Sequence, residues 1–479
     1  MFLRCALAVC CFCRLVAGAA AAEPADKEKP QQLVITSAVE PRPALKYQLL
    51  PKFIDCRSGN AAPRYGKAII HRPPNPEFDT KVAKWLDLPA SEFSKSETRK
   101  EVTESGLTTT IDLLRLAARL ESCDWELPLH EQMPYSILLP EVQDMRRMSG
   151  YVALQARLQL AEKKFAEAID TLSVGYAMGR HVAQGPTLIN GLVGLVIAGR
   201  MDKVALEMAQ TPEAPSLFWA ATFQPRPLVD VRPGLEGEMY SLVLGFPSLR
   251  SDAQSEEEWK AEAQRLVRDF GEIVETFADD GDDKSWLGLF RNVAVSGKIA
   301  MRREPMQKFL TECGRDRDVV GKMSDSQLFL EYSLLKYEDL RDEMFRWMAL
   351  PYPEARRGIE AAEQRLKSSK KLDSVDHEIV PFAALFLPAV AQVSKTAARA
   401  ERRSDVVRVV EALRLYAGKH EGRLPPTLGE IEGLPLPKLD AVTGKPFHYV
   451  LDGDTARLTL PEERNGDDTT LVYEIRVAK

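Results

Sequence analysis

The stretch that most constrains this chain runs from Val142 to Gln210, where apolar residues recur at helical spacing between short polar turns. Val142, Met145, Met148, Val152 and Ala156 form one row, and Tyr151, Leu154, Leu158 and Ala161 form a second. Two adjacent rows make a stripe wide enough for burial on two sides. After the turn Glu162-Lys163-Lys164 the pattern restarts as Phe165, Ala168, Ile169, Leu172 and Tyr176. Gly175 and Gly179 lie on that helix and lower its propensity, so close approach of a neighbouring helix must compensate. A third helix over Thr187 to Ala198 and a fourth over Met201 to Gln210 complete two consecutive helical hairpins.

Phe165-Ala166-Glu167-Ala168 and Met201-Asp202-Lys203-Val204-Ala205 occupy equivalent places in the two hairpins, at a spacing that resembles the tetratricopeptide repeat. Only the Phe-x-x-Ala and Met-x-x-x-Ala positions match, and two hairpins are fewer than a solenoid needs to cover its ends. The functional reading is a concave peptide-binding surface. The plainer expectation is a helical core, because such stripes form core more often than grooves.

Around this centre the chain divides into a leader (1–22), an extended Pro-containing strap (23–109), a helical body (110–376) and a C-terminal module (377–479). In the leader Arg4 precedes the apolar run Cys5 to Cys13, and Ala20-Ala21-Ala22 offers small residues for cleavage, although Arg14 interrupts the pattern. This predicts an exported protein, periplasmic or extracellular. Four of the seven cysteines would leave with the leader; Cys56, Cys123 and Cys313 remain, neither a disulfide framework nor a metal motif, and are expected as buried free thiols. A composition of 45% hydrophobic and 28% charged residues is that of a folded protein. A net charge of −6 excludes a general nucleic-acid binder, which needs a basic face.

In the strap, Pro41, Pro43 and Pro51 forbid a long helix, and Asn60 to Ile70 fits a short one capped by Asn60 or Ser58. Leu113, Leu116, Ala117 and Leu120 predict a helix over Thr110 to Leu120, with Trp125 as a core anchor after it. Further on, Trp259, Leu266, Phe270, Ile273 and Phe277 form a short heptad seam. Asp279-Asp280-Gly281-Asp282-Asp283 lacks EF-hand spacing and reads as a solvated turn. Ser324 and Gln327 form a capping box for a helix through Leu340.

The C-terminal module opens with Ile379 to Val393, apolar but short and broken by Pro381 and Pro388, which predicts a buried segment and no firm membrane span. A basic stretch then leads to a helix carrying Val406, Val409, Val410, Leu413 and Ala417, and Thr427 to Glu430 has capping-box form. Phe447, Tyr449 and Leu451 alternate, Asp452-Gly453-Asp454 turns, and Ala456, Leu458 and Leu460 alternate again, a hairpin signal. With Leu471 to Val477 as a third strand, the fold class is mainly α: a helical-hairpin body with a small α+β module of one helix and a three-stranded antiparallel sheet.

Leu387-Pro388-Ala389, Ala398-Arg399, Ala412 to Ala417 and Leu424-Pro425 resemble the stem and head of type IV pilins and type II secretion pseudopilins. The run Asp440 to Tyr449 is similar to the Asp-Pro-x-x-Gly-x-Pro-x-x-Tyr turn of those heads, with Ala441 in place of the Pro. The chain lacks their leader box and carries the module at its far end, so the resemblance implies a pilin-like head without a pilin's role. It also suggests calcium in the last loop, at Asn465, Asp467 and Asp468, although three side-chain oxygens are fewer than the roughly 6–8 ligands calcium takes. Apart from calcium, no cofactor is expected. Gly59 to Ala62, Cys123-Asp124-Trp125, Gln184 to Leu188 and Arg226-Pro227-Leu228 look like a family of exported proteins common in planctomycetes, which brings no known activity.

None of the six histidines lies in HExxH, and no GxSxG, P-loop or Rossmann glycine pattern occurs; the nearest pair is His130-Glu131. No catalytic residue is named. The expected function is a non-catalytic scaffold of the cell envelope that binds a protein partner through the hairpins or the pilin-like head. The alternative is an envelope hydrolase with its site between the helical body and the C-terminal module. Oligomeric state cannot be read from the sequence.

Overall fold

The computed structural model describes residues 30–478 apart from 76, 90–92, 94, 95, 130–136, 138, 246–254, 263, 266–294, 370–380 and 461–470. The expected leader, the His130-Glu131 pair, most of the 259–277 seam and the 279–283 run lie outside the described residues. Contacts group the described chain into two compact units, each assembled from separated stretches. The larger comprises described residues of Ala19–Leu127, Leu139–Glu236 and Lys395–Lys479; the smaller comprises those of Pro128–Leu138 and Gly237–Ser394.

The fold is mainly helical with a small sheet. In chain order the larger unit begins with β1 (Gln31–Ile35), β2 (Arg57–Asn60), α1 (Ala62–Ile70), α2 (Glu77–Asp87), α3 (Ser96–Glu104), α4 (Leu107–Ala118) and β3 (Leu120–Ser122). It continues with α5 (Pro140–Ala161), α6 (Phe165–Val182), α7 (Leu188–Ala209) and α8 (Phe218–Thr222). After α9 (Arg232–Gly245) the smaller unit contains α10 (Val295–Glu312), α11 (Arg317–Lys322), α12 (Asp325–Phe345) and α13 (Tyr352–Ser369). The long α14 (Pro381–Lys419) gives its Lys395–Lys419 part to the larger unit, followed by β4 (His448–Asp452), β5 (Thr455–Leu460) and β6 (Leu471–Val477).

Helices α5, α6 and α7 pack pairwise against one another. Their stripes are buried as the periodicity predicts: Met145, Met148, Val152 and Leu154 on α5, Leu172 and Tyr176 on α6. Glycines set the closest approach, since a Cβ on Gly194 would lie 2.5 Å from the Gly179 carbonyl oxygen. The two expected helices after Thr187 are in fact one, α7. Its N-terminus is capped by the Thr187 hydroxyl, which accepts from the Asn190 amide at 3.2 Å. Gly199 and Arg200 do not break it because the surrounding residues are buried on several sides. The centre is therefore a three-helix cluster, and the repeat equivalence of Phe165 and Met201 disappears with the second hairpin.

Arg157 ties this cluster to the end of α2. It is 4% exposed, donates to the carbonyls of Trp85 and Leu88 and pairs with Glu207 at 2.7 Å. The guanidinium thereby satisfies helix-end oxygens that have no partner within α2.

The sheet has four strands in the order β1-β6-β5-β4. The alternation predicted β4, β5 and β6; β1 is an addition from the expected strap, running parallel to β6 with Gln31 opposite Tyr473 and Ile35 opposite Val477. A short segment flanked by polar residues and prolines carries too little pattern to announce a strand. Leu33 and Ile35 from β1, Ala209 from α7 and Phe218 from α8 share one core with Val409, Leu413, Leu458 and Ile475. The expected small α+β part is present as β4, β5 and β6 with α14, and these strands share the core of the larger unit. The expected capping box at Thr427 is a single 3-10 turn without a side-chain cap.

In the smaller unit, Asp316 and Ser324 cap α11 and α12 by accepting backbone amides. Only half of the expected box forms at Ser324, because the Gln327 amide turns forward to Glu331 at 3.0 Å. Phe309 meets Tyr332 edge to face at 5.2 Å. Among the described residues no helix is long and apolar enough to cross a membrane. Among the described residues Cys56, Cys123 and Cys313 are free, but only Cys123 is buried; Cys313 is exposed and Cys56 half-buried.

Arg414, 0% exposed on α14, joins the pieces of the larger unit. It donates to the Thr36 carbonyl at 2.9 Å, the Ala214 carbonyl at 2.7 Å, the Pro215 carbonyl at 3.2 Å and Glu411 at 2.8 Å. Glu411 in turn accepts from Ser216 Oγ and the Leu217 amide, both at 2.9 Å. Replacing Arg414 with Ala strands a buried carboxylate and is expected to cost about 3–5 kcal/mol in urea unfolding.

Candidate functional site

A small, half-open cleft lies between α7, the segment 221–229 and the 397–404 stretch of α14. Its cavity volume is about 40 Å³, within about 510 Å³ of atom-free space that includes open solvent. Leu195, Ala198, Pro225, Pro227, Leu228 and Ala400 make apolar walls, and Asp202, Gln224, Arg226, Glu401 and Ser404 supply the polar groups. The Pro225 and Pro227 rings hold their segment out of helix, so its side chains reach the cleft from a loop. Phe223, 61% exposed, stands next to it in sequence.

Asp202 sits at the floor. The Tyr176 hydroxyl donates to its Oδ1 at 2.8 Å and the Ser404 hydroxyl to its Oδ2 at 3.2 Å. Burial pushes its carboxyl up to about 6, overriding the lowering effect of the Tyr176 bond and of Arg403. Glu401 is also raised, by burial first and by Asp405 second, against the pull of Arg226. Arg226 itself is committed to Asp405 at 2.7 Å, and Arg408 reaches the same carboxylate at 3.2 Å. The Nε2 atom of Gln224 is buried with no hydrogen-bond partner among the described residues, although the residue as a whole is half-exposed. A donor in that state costs free energy unless a guest accepts from it.

A second polar cluster surrounds His181, whose Nδ1 lies 2.8 Å from the Tyr65 hydroxyl. Burial lowers the imidazole to about 4, opposed by a hydrogen bond to the Leu120 backbone. Cys123 lies nearby, and burial with Asp124 pushes its thiol up to about 12. A neutral imidazole bonded to a tyrosine and a thiol held protonated are not an activated nucleophile and its base. Trp125 stacks on Tyr65 with ring centroids 6.4 Å apart, as an anchor after α4.

The proposed calcium residues Asn465, Asp467 and Asp468 lie outside the described residues. Among the described residues no group of three or more His, Cys, Asp or Glu could hold a metal ion. The turn over residues 440–449 is held by Asp440, which accepts from Arg402 at 2.8 and 2.7 Å and from the Val442 amide at 2.8 Å. The Tyr449 hydroxyl donates to the Pro425 carbonyl at 2.8 Å. Sequence reasoning passed over Asp202 and Glu401. The available signal was an acid set directly beside a buried apolar stripe, as Asp202 is beside Met201 and Val204. No family model, no curated protein and no solved structure matches the chain.

The two buried titrating groups carry opposite pH signatures. Asp202 ionises near 3.8 when free and near 6 when folded, so the folded chain binds the extra proton and stability falls as pH rises between those values. His181 ionises near 6.5 when free and near 4 when folded, so its contribution is present above 6.5 and is lost as pH falls towards 4. In urea unfolding across that range, Asp202→Asn is expected to gain stability relative to the native chain as pH rises. His181→Asn is expected to lose it over the same range.

Proposed function

We propose that this protein is an exported, non-catalytic scaffold of the cell envelope that binds a segment of a protein partner in the cleft at α7, residues 221–229 and α14. The observation that carries this reading is the pairing of apolar walls with an unspent buried amide. Pro225, Pro227 and Leu228 offer a surface to an apolar side chain, and Gln224 Nε2, closed off without an acceptor, gains one if the half-exposed side chain turns to a partner's carbonyl. Exposed Phe223 and Arg226 extend the patch, in keeping with the aromatic and arginine anchors of protein interfaces. The pilin-like turn at Asp440 to Tyr449 and the family likeness of Arg226-Pro227-Leu228 support placement in the envelope.

One observation favours an envelope hydrolase instead: two carboxyls with raised pKa, Asp202 and Glu401, line the same cleft. A raised carboxyl is able to give up a proton near neutral pH, as a general acid must. The bonds from Tyr176 and Ser404 make Asp202 the less available of the two.

The test is affinity capture from the native envelope fraction, with and without calcium, comparing the native chain with Leu228→Glu. A stoichiometric partner that the variant loses is the expected result. A partner retained equally by the variant removes the cleft from the proposal. Hydrolysis of an envelope polymer, abolished by Glu401→Gln, would replace the scaffold with the hydrolase.

A further inference from the structure

The two edges of the sheet are finished differently. At the β1 edge the Val34 amide donates to Gln210 Oε1 at 3.3 Å and the Thr36 amide to the Ala209 carbonyl at 3.1 Å. The β4 edge has no such cover among the described residues. Open edges are templates for another strand.

The pairing of β4 with β5 decides which groups that edge presents. Asp452 is opposite Thr455 across the two-residue turn Gly453-Asp454, and Gly453 has φ of 57°. In such a turn the flanking pair is hydrogen-bonded. By alternation, His448, Val450 and Asp452 direct their backbone bonds to β5, and the N–H and C=O groups of Tyr449 and Leu451 point away from it. On the side-chain faces, His448, Val450 and Asp452 are exposed, with Val450 46% exposed, while Tyr449 and Leu451 are half-buried against the core.

We infer that β4 is the contact between two copies of this chain, paired antiparallel about a two-fold axis at Val450. That register places Tyr449 of each copy opposite Leu451 of the other, so the four outward amides and the four outward carbonyls bond to one another. It also places His448 of each copy opposite Asp452 of the other, at the non-hydrogen-bonded positions where side chains come closest. Val450 meets its own copy on the axis. The strand His448-Tyr449-Val450-Leu451-Asp452 is therefore complementary to itself in backbone groups, in charge and in apolar contact, as an isologous interface requires. A five-residue strand buries little area, so the association is weak and concentration-dependent. This surface is separate from the cleft, and each proposal stands or falls alone.

Sedimentation of the full chain from micromolar to near-millimolar concentration tests it. The native chain is expected to move towards twice the monomer mass as concentration rises, with hydrogen exchange slowing at the Tyr449 and Leu451 amides. Val450→Lys and Val450→Glu each place like charges across the axis and are expected to weaken association about fivefold or more. An equimolar mixture of the two variants is expected to restore it, since Lys then faces Glu. Exposed Val450 tolerates both changes, and far-ultraviolet circular dichroism verifies folding. A chain that stays monomeric throughout overturns the inference and leaves the edge to a strand from another protein. A dimer indifferent to both variants overturns it as well.

Discussion

The larger unit depends on the buried ion pair between Glu411 and Arg414. All the N–H groups of Arg414 are spent, on Glu411, on Thr36 and on the carbonyls of Ala214 and Pro215. Desolvating two charges is costly, and the cost is offset only when every remaining donor and acceptor is satisfied. Here satisfaction comes from three distant parts of the chain, so the pair reports whether all three are in place. The fit is close: a Cβ on Gly418, one turn along α14, would meet the Ala38 carbonyl oxygen at 2.1 Å. The Ala38 amide also donates to the Arg414 carbonyl at 3.1 Å.

The pair is one end of a longer device. Arg402, Asp405, Arg408, Glu411 and Arg414 are all buried and recur every third residue along α14. A spacing of three falls short of a full helical turn, so such a row winds back around the helix by roughly 60° at each step. Successive members consequently meet different segments: Asp440 of the turn before β4, Arg226 of the cleft segment, the Pro435 carbonyl, Ser216, and Thr36 beyond β1. The row touches the cleft through Asp405, whose partner Arg226 is one of the cleft's lining residues.

These relations explain what could be read in advance. The stripes on α5 and α6 and the alternation in β4 and β5 are local patterns, and a period of 3.6 or 2 reveals them without a partner. The two helices expected over Thr187 to Ala198 and Met201 to Gln210 are one, because burial of Met201, Val204 and Ala205 carries α7 through. Of the polar row of α14 only Arg402 was legible, as part of a basic stretch, since the row's partners are remote in sequence and no periodicity announces them. Asp202 and Glu401 escaped notice for the same reason. Their shifted acidity comes from desolvation, a property of the assembled site and not of either residue's neighbours. β1 escaped because its pairing partner is at the opposite end of the chain.

That last pairing bears on how the molecule is made. Gln31 to Ile35 are synthesised long before Tyr473 to Val477, so β1 has no neighbouring strand until β6 has been made. Loop closure across that distance is entropically expensive, and contacts of such high sequence separation form slowly. Leu33 and Ile35 stay exposed during elongation, and during any passage through an export channel, until β6 arrives. The core of the larger unit is therefore sealed late, by β6, and a polypeptide interrupted before residue 471 would leave β1 as an unpaired apolar strand open to aggregation.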